Sequence, residues 1–167
     1  MRQESKIHAT PGRYLIFYLR EELYAVPIQS VSEIIGFTEI TNVPQTPEFV
    51  KGVINLRGKV IPVLDLRKKF DISLKDRTRE TCIIILEAWN KLVGAVVDKV
   101  QEVVDLVQNQ IEPSPELGNK IKTKFIMGMG KVDKDVIILL NIEEVLSEEE
   151  MDNIKDMAND DEKTAVA

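Results

Sequence analysis

The sequence is poor in the residues on which most catalytic and metal sites depend. Among 167 residues there is one histidine, His8, and one cysteine, Cys82. A serine or cysteine nucleophile would therefore have a single candidate histidine base, which stands in a polar stretch near the N-terminus. Clustered histidine and cysteine ligands for a metal ion are absent from the sequence, and an internal disulfide would need a second cysteine. We expect no catalytic residues, no metal site and no cofactor.

What the composition lacks excludes further classes of protein. Aromatic residues make up 5% of the chain and the net charge is −6, whereas nucleic-acid surfaces need a basic face and stacking aromatics. The longest unbroken apolar runs, such as 83–86 and 136–140, have the length of a strand and are too short to cross a bilayer. The N-terminus has no long apolar segment of the kind that serves as a secretion signal, and a lone cysteine is typical of a reducing compartment. We therefore expect a cytoplasmic protein that neither inserts into a membrane nor binds nucleic acid.

The stretch 49–66, FVKGVINLRGKVIPVLDL, is the strongest structural signal in the chain. Two apolar, β-branched arms flank a polar bend that contains Asn55, Arg57 and Gly58. This pattern predicts a β-hairpin. Pro62 cannot donate a ladder hydrogen bond, so the second arm is expected at a sheet edge or beside a bulge. A hairpin this apolar needs partner strands to be stable in water.

Similar patterns recur on either side of this hairpin. In the first half they predict a hairpin at 14–27, a helical turn leading into a strand at 28–35 and a helical turn at 66–70. In the second half they predict strands at 81–87 and 92–97 and a short helix at 147–158. The remaining segments are predicted to be a disordered leader at 1–12, a charged linker at 71–80 and a disordered acidic tail at 159–167. The helix prediction depends on Ser147 and Glu150, which have the spacing of a capping box before the apolar residues Met151 and Ile154.

The second half of the chain repeats the first. The segment 97–104 matches 28–35 at a constant spacing of 69, and the segment 125–141 matches 49–65 at a constant spacing of 76. Two ungapped matches indicate an internal duplication. A single copy is too small to bury much surface, so the copies are expected to share a seam.

A copy with about five short strands is most simply closed into a barrel, which leaves no exposed sheet edge. We therefore predict an all-β fold with one barrel at 13–70 and a second at 81–146, accompanied by short helical turns and a short C-terminal helix.

The bend of the central hairpin is where the two copies differ most. The residues NLRG at 55–58 stand opposite KVDK at 131–134. The bend is therefore either a solvated turn or a recognition surface built on Arg57, whose guanidinium combines a rigid donor fork with a stackable face. Glu33 and Glu102 occupy equivalent positions in the repeat, which favours a shared structural role over paired acid and base chemistry.

Six segments carry a resemblance to a known family. They are VSEIIG at 31–36, TPEFVKG at 46–52, VINLRG at 53–58, IPVLDL at 61–66, GAVVD at 94–98 and ILLNI at 138–142. In these segments, and over nearly its whole length, the chain resembles CheW, the chemotaxis coupling family. The resemblance implies two five-stranded SH3-like barrels and a non-enzymatic adaptor. It also implies two partners, the cytoplasmic tip of a chemoreceptor and the regulatory domain of the histidine kinase CheA, together with recruitment to membrane-associated receptor arrays.

The resemblance also implies site residues, by position. Receptor contact is implied for a groove near Val31, Glu33, Ile34 and Gly36 and for Asn55 and Arg57 at the bend, while Gly52 and Gly58 are implied to hold the shape of the hairpin. Kinase contacts are implied at the apolar ends of the barrels, without assigned residues. Two alternatives stay open: a sensor with a small-molecule pocket between the barrels, and another kind of protein-binding β-barrel module.

Overall fold

The computed structural model describes residues 9–73, 76–113 and 125–154, whose strands form two sheets. The strands are β1 (Gly12–Leu19), β2 (Glu22–Pro27), β3 (Val31–Gly36), β4 (Val50–Leu56), β5 (Lys59–Asp65), β6 (Cys82–Ala88), β7 (Lys91–Val97), β8 (Lys99–Leu106), β9 (Ile111–Glu112), β10 (Ile126–Val132) and β11 (Asp135–Leu140). The short helices are α1 (Leu66–Lys69) and α2 (Ile142–Val145), with 3₁₀ turns at Ile28–Ser30 and Gln108–Gln110 and a helical segment at 148–154. The all-β prediction is confirmed.

Each sheet takes its strands from both halves of the chain. The six-stranded sheet has the order β8-β1-β2-β11-β10-β9, and the five-stranded sheet has the order β3-β6-β7-β5-β4. The hairpin β1–β2 therefore completes a sheet built from the second half, and the hairpin β6–β7 completes the sheet of the first half. The linear divisions 13–70 and 81–146 do not coincide with the two sheets. A repeat in the sequence shows which segments are equivalent, but not which copy each segment pairs with.

The duplication itself is visible in the local geometry. The ladder between β4 and β5 shifts register just before Gly52, and the ladder between β10 and β11 shifts just before the equivalent Gly128. Asp65 caps α1 and Asn141 caps α2, each by accepting a hydrogen bond from the amide two residues ahead. The amides of these two caps donate to the carbonyls of Phe49 and Phe125 at 2.8 and 2.9 Å. The two copies thus share the same bulges and caps.

Both sheets curl toward closure. The strands β8 and β9 lie at opposite edges of the six-stranded sheet, yet only residues 107–110 connect them. In the five-stranded sheet, Thr41 follows the edge strand β3 and forms an antiparallel bridge with Val53 on the other edge strand, β4. Closure removes exposed edges, as expected for small barrels.

Three apolar clusters fill the interior, and one is shared by both sheets. In β6, Ile83 and Ile85 face the cluster of the five-stranded sheet, whereas Ile84 and Leu86 face the shared cluster. In β1, Ile16 faces the cluster of the six-stranded sheet and its neighbours face the shared one. Burial on both faces explains why these strands read as unbroken apolar runs. The predicted seam is confirmed.

A buried ionic network crosses this seam. Arg67 donates from Nε and Nη2 to the carboxylate of Asp65 at 3.0 and 3.1 Å, and from Nη1 to Asp98 Oδ1 at 2.8 Å. The second oxygen of Asp98 accepts the amide of Arg20 at 2.6 Å. Burial by itself would lower the pKa of Arg67, but the hydrogen bond and charge of Asp65 and the charge of Asp98 more than offset it, so the pKa is raised.

The other exchanged hairpin is held in a comparable way from α2. The turn between β6 and β7 donates the amide of Trp89 to Glu143 Oε2 at 2.9 Å. The indole Nε1 of Trp89 donates to the carbonyl of Leu146 at 2.7 Å. Because Trp89 and Arg20 occupy equivalent positions in the repeat, the two hairpin tips are bound at equivalent places by different carboxylates.

The C-terminal helix packs on the shared cluster. Ser147 and Glu150 form the predicted capping box, with reciprocal bonds of 3.0 and 3.1 Å. Met151 and Ile154 are buried in the shared cluster. The helix is seen at 148–154, and the rest of the prediction, at 155–167, lies outside the described residues.

Two expectations need correction. Residues 9–12 are not a frayed leader, because Ala9 is buried and the hydroxyl of Tyr14 donates to the carbonyl of Thr10 at 2.6 Å; residues 1–8 lie outside the described part of the chain. Pro62 does not mark a sheet edge, because β5 lies between β4 and β7. The alternative, a bulge, is present in the β4–β5 ladder next to Pro62, but the extra residue is Lys51 on the first arm. The parallel ladder to β7 begins only at Val63, so the missing amide of proline interrupts no bond there. None of the described helices is long and apolar enough to span a membrane.

Gly52 is predicted to be the most sensitive glycine in the five-stranded sheet. A Cβ at this position would lie 2.0 Å from the carbonyl oxygen of Thr41, and φ is +147°. We expect Gly52→Ala to lower the free energy of unfolding by about 3 kcal/mol, as measured by urea denaturation. Gly36→Ala is the matched control, because no atom lies within 4 Å of its Cβ position. Equal stability of the two variants would contradict the prediction.

Candidate functional site

The bend between β4 and β5 is a two-residue turn. Arg57 and Gly58 have φ values of +52° and +88°, the sign pattern of a type I′ turn, and Asn55 Oδ1 accepts the amide of Gly58 at 2.9 Å. Asparagine, aspartate and glycine are favoured at such positions because they tolerate positive φ. Arginine has no such advantage, so the backbone gives no reason for its presence at this turn.

The side chain of Arg57 forms a bidentate ion pair with Glu33. Nη2 donates to Oε1, and Nη1 donates to Oε2 at 3.3 Å. The hydrogen bond from Arg57 lowers the pKa of the Glu33 carboxyl, and the same bond raises the pKa of Arg57. The arginine side chain remains 70% exposed. Exposed pairs of this kind contribute little stability, so the main effect of Glu33 is to hold the guanidinium in one orientation.

The ion pair joins two strands that lie far apart in the sheet order. Glu33 lies on β3, at one edge of the five-stranded sheet, and Arg57 lies beside β4, at the other edge. On β3, burial alternates: Ile34 is 44% exposed, while Val31 packs partly buried against the shared cluster. Gly36 is exposed at the end of the strand, and the structure places it opposite Cys82.

The structure thus brings together some of the residues implied by the resemblance and separates others. Glu33 and Arg57 are in direct contact, and Asn55 shapes the turn that carries Arg57. Gly58 is part of that turn, whereas Gly52 lies under Thr41, near the start of β4. Glu33, Ile34 and Arg57 are the members of the implied set that combine exposure with charge or apolar surface. We call them the receptor-facing edge, after the contact that the resemblance implies for them.

Sequence reasoning missed a second exposed apolar surface, on the six-stranded sheet. Val107 and Val136 are 55% and 57% exposed. Gln110 accepts the amide of Val107 at 2.9 Å and donates to the carbonyl of Lys131, the ladder partner of Val136. We call the two valines the valine patch. Val107 directly follows β8 and Val136 lies on β11, both in apolar stretches like those of the core, so no local signal distinguishes these outward valines.

The repeat equivalents of the ion pair are two acidic residues. Glu102 corresponds to Glu33 at a spacing of 69, and Asp133 corresponds to Arg57 at a spacing of 76. Neither carboxylate has an ion-pair partner among the residues that the structure describes. The exposed apolar residue is retained, since Val103 is the equivalent of Ile34 and is 48% exposed. The two barrels therefore present similar shapes with different charge.

The described residues offer little for catalysis or ligand binding. They contain no group of three or more histidine, cysteine, aspartate or glutamate side chains that could hold a metal ion, and His8 lies outside them. Burial raises the pKa of the Cys82 thiol, which makes it a poor nucleophile. A depression of about 540 Å³ is lined by residues 37–39, 77–79 and 81, and a second by residues 42–48 with parts of β4 and α1. Both are lined by segments that adjoin strands of the five-stranded sheet, and neither supports a sensor pocket between the barrels.

The fold and the exposed surfaces together define a protein-binding β scaffold. The family model of the CheW-like domain matches residues 13–150. The chain belongs to the CheW-like family. The chemotaxis protein CheW of Klebsiella aerogenes is 39% identical over 145 residues, covering 87% of each chain. The probable chemotaxis protein CheW of Rhizobium etli is 35% identical, covering 81% of this chain and 88% of the relative.

A solved structure supports the same assignment. The scaffolding protein TtCheW from Thermoanaerobacter tengcongensis is 40% identical and superposes with a TM-score of 0.76, covering 83% of this chain and 94% of that one. The family resemblance of the sequence is therefore confirmed, and so is the all-β fold of two barrel-like sheets that it implied. One sheet has the implied five strands, and the other has a sixth in the two-residue strand β9.

The pKa of the Glu33 carboxyl is predicted to depend on Arg57. Arg57→Asn removes the donor and suits a type I′ turn, so the pKa should rise toward its ordinary value. A ¹³C NMR titration of the side-chain carboxyl measures it. Because the pKa is lowered in the folded protein, the contribution of the pair is present above the unfolded-state pKa and is lost as pH falls through the folded-state pKa. Arg13→Asn, which removes a pair with Asp105 instead, should leave Glu33 unchanged.

Proposed function

We propose that this protein is a chemotaxis adaptor that links the cytoplasmic tip of a chemoreceptor to the regulatory domain of the histidine kinase CheA. Membership in the CheW-like family and the names of the relatives support this role. The observation that carries the proposal is Arg57, an exposed arginine fixed by Glu33 at a turn whose backbone favours other residues. In this role the protein catalyses no reaction and acts by binding two partners at once.

The receptor-facing edge is suited to a helical partner. Glu33 engages one side of the guanidinium, so the face of Arg57 and its remaining donors stay open to solvent. Ile34 follows Glu33 on the edge strand β3 and points to the opposite face of the sheet, so its exposed apolar surface is available to a partner that lies along this edge. An amphipathic helix buries an apolar stripe and offers polar groups beside it, which matches this combination. Val31 and Gly36 flank the edge and belong to the proposed contact.

The valine patch is suited to the kinase regulatory domain. It lies on the six-stranded sheet, whereas the receptor-facing edge lies on the five-stranded sheet. Partners on different sheets can be bound at the same time. The family resemblance implies kinase contact through apolar ends of the barrels, and Val107 and Val136 are exposed apolar residues at one end of the six-stranded sheet.

Binding of this kind gains strength from assembly. A single edge of three residues and a pair of valines are small surfaces, so each contact is expected to be weak by itself. Arrays of receptors and kinases supply many linked contacts, which raises the effective concentration of each partner. We propose that the protein is recruited to membrane-associated receptor arrays in this way.

Loss of Arg57 is predicted to weaken receptor binding without loss of fold. We expect Arg57→Asn to weaken binding of a receptor cytoplasmic fragment by about 5- to 150-fold, corresponding to roughly 1–3 kcal/mol for an interface anchor. Isothermal titration calorimetry with the fragment measures the affinity. Arg13→Asn is the matched control, since Arg13 is also 70% exposed and paired with a carboxylate, but lies on the other sheet.

Receptor binding by folded Arg57→Asn as tight as that of the parent would contradict the assignment of the edge. A rise in melting temperature on addition of a small molecule, with no binding of either protein partner, would favour the sensor alternative instead.

The two surfaces are predicted to act on different partners. Val136→Ser should weaken binding of the kinase regulatory domain by about fivefold, because it removes roughly 1 kcal/mol of apolar burial at the contact. It should leave receptor binding unchanged. Ile34→Ser should weaken receptor binding and leave binding of the kinase regulatory domain unchanged. Titration of both variants with both partners separates these effects, and a loss of receptor binding in Val136→Ser would show that the valine patch is wrongly assigned.

A further inference from the structure

A continuous line of polar contacts passes from the five-stranded sheet to the six-stranded sheet through the buried seam. It begins at Asp65 and Arg67, at the end of β5, and continues to Asp98, between β7 and β8. From Asp98 it reaches the turn of the β1–β2 hairpin, where Oδ2 accepts the amide of Arg20 at 2.6 Å. The amide of Asp98 also donates to the carbonyl of Tyr18 at 3.0 Å. We call the contacts of Asp98 with Arg67, Arg20 and Tyr18 the clasp.

The charged residues of the clasp are buried at positions where apolar side chains could give the same stability. Asp65, Arg67 and Asp98 are all buried. Removing charges from water is costly, and well-packed apolar residues are often as stable as a buried ion pair. What hydrogen bonds add is direction and length, since apolar contacts are non-directional and tolerate sliding. The main effect of the clasp is therefore on the relative orientation of the two sheets rather than on their stability.

The repeat retains only part of this arrangement in the second copy. The equivalents of Asp65 and Arg67 are Asn141 and Glu143, and the equivalent of Asp98 is Gln29. Asn141 still caps its helix, so the cap does not require the charge of an aspartate. The carboxylate of Asp98 and the guanidinium of Arg67 are thus additions to the repeated scaffold and form the crossing of the seam. Asp65 keeps the capping role that Asn141 has in the second copy.

We propose that Arg67 and Asp98 are positioning residues that fix the receptor-facing edge relative to the valine patch, so that a change at one surface is transmitted to the other. This inference rests on the proposed function. The edge belongs to the five-stranded sheet and the patch to the six-stranded sheet. A loose seam would let both partners bind while their relative orientation varied, and receptor state would then fail to reach the kinase.

A matched pair of substitutions separates the clasp from the cap. Asp98→Asn leaves one oxygen facing two donors, Arg67 Nη1 and the Arg20 amide, so one bond across the seam is lost. Asp65→Asn also removes one negative charge beside Arg67, yet its remaining oxygen can keep the cap, as Asn141 does. Both variants are tested in the full chain.

The orientation of the sheets is measured by the distance between nitroxide labels at exposed positions 59 and 134, with Cys82 replaced by serine. We expect Asp98→Asn to broaden the distance distribution about twofold and Asp65→Asn to leave it unchanged. Asp98→Asn should bind the receptor fragment and the kinase regulatory domain within about twofold of the parent, while receptor-dependent kinase activity falls about fivefold or more. Asp65→Asn should retain that activity.

Each outcome decides one point. An unchanged distance distribution in folded Asp98→Asn overturns the clasp, and a broadened one with full kinase activity overturns its part in coupling. If the parent binds neither partner, the proposed function is wrong. The label distances in the parent and in Asp98→Asn then still show whether the clasp fixes the orientation of the sheets. If Asp98→Asn does not fold, the clasp is tested instead by hydrogen exchange of the Arg20 amide in the unaltered protein. We expect the Arg20 amide to exchange only when the whole protein unfolds. An exchange rate as high as that of an amide in an exposed turn overturns the clasp.

Discussion

Neither sheet is complete without a hairpin from the other half of the chain, and most of the structure depends on this exchange. A half of this size buries too little apolar surface to be stable alone. Because β1–β2 and β6–β7 each pair within one sheet and pack against the other, their side chains point into two different clusters. The exchange therefore ties the two barrels into a single cooperative unit. It also places the backbone amides of the two hairpin tips at the seam, where they need acceptors. Asp98 and Glu143 supply these acceptors.

The sequence predicted local elements well and the pairing between them poorly. Hairpins, caps and the helical turn after β5 depend on short spacings, which the internal repeat makes visible twice. The exchange depends on which of two similar hairpins joins which set of strands, and both have the same apolar pattern. The available hints were the unbroken apolar runs at 14–19 and 83–86, since a strand buried on one face alternates with polar residues. Pro62 was misplaced for a related reason, because the end of a ladder cannot be read from one strand.

The candidate site was predictable in part. Arg57 was found because the two copies differ at the bend, and its positive φ now gives a physical reason to single it out. Its pairing with Glu33 could not be predicted, because the two residues meet only when opposite edges of the sheet curl together. Gly52 was expected to shape the hairpin, and the structure shows the close approach of Thr41 as the cause. The valine patch carries no local signal, since an outward valine and a core valine look alike in a strand.

A duplicated scaffold has equivalent surfaces, and an adaptor needs them to differ. Two barrels with the same exposed residues would compete for the same partner and could associate with each other. Here the shape is kept, with Ile34 and Val103 exposed at equivalent positions, while the charge changes from a paired Glu33 and Arg57 to Glu102 and Asp133. Specificity between partners is a difference in binding free energy, and an unfavourable charge is an effective way to create it. Charge can change at the surface without disturbing the core, so one chain can keep a repeated fold while its two equivalent surfaces differ in specificity.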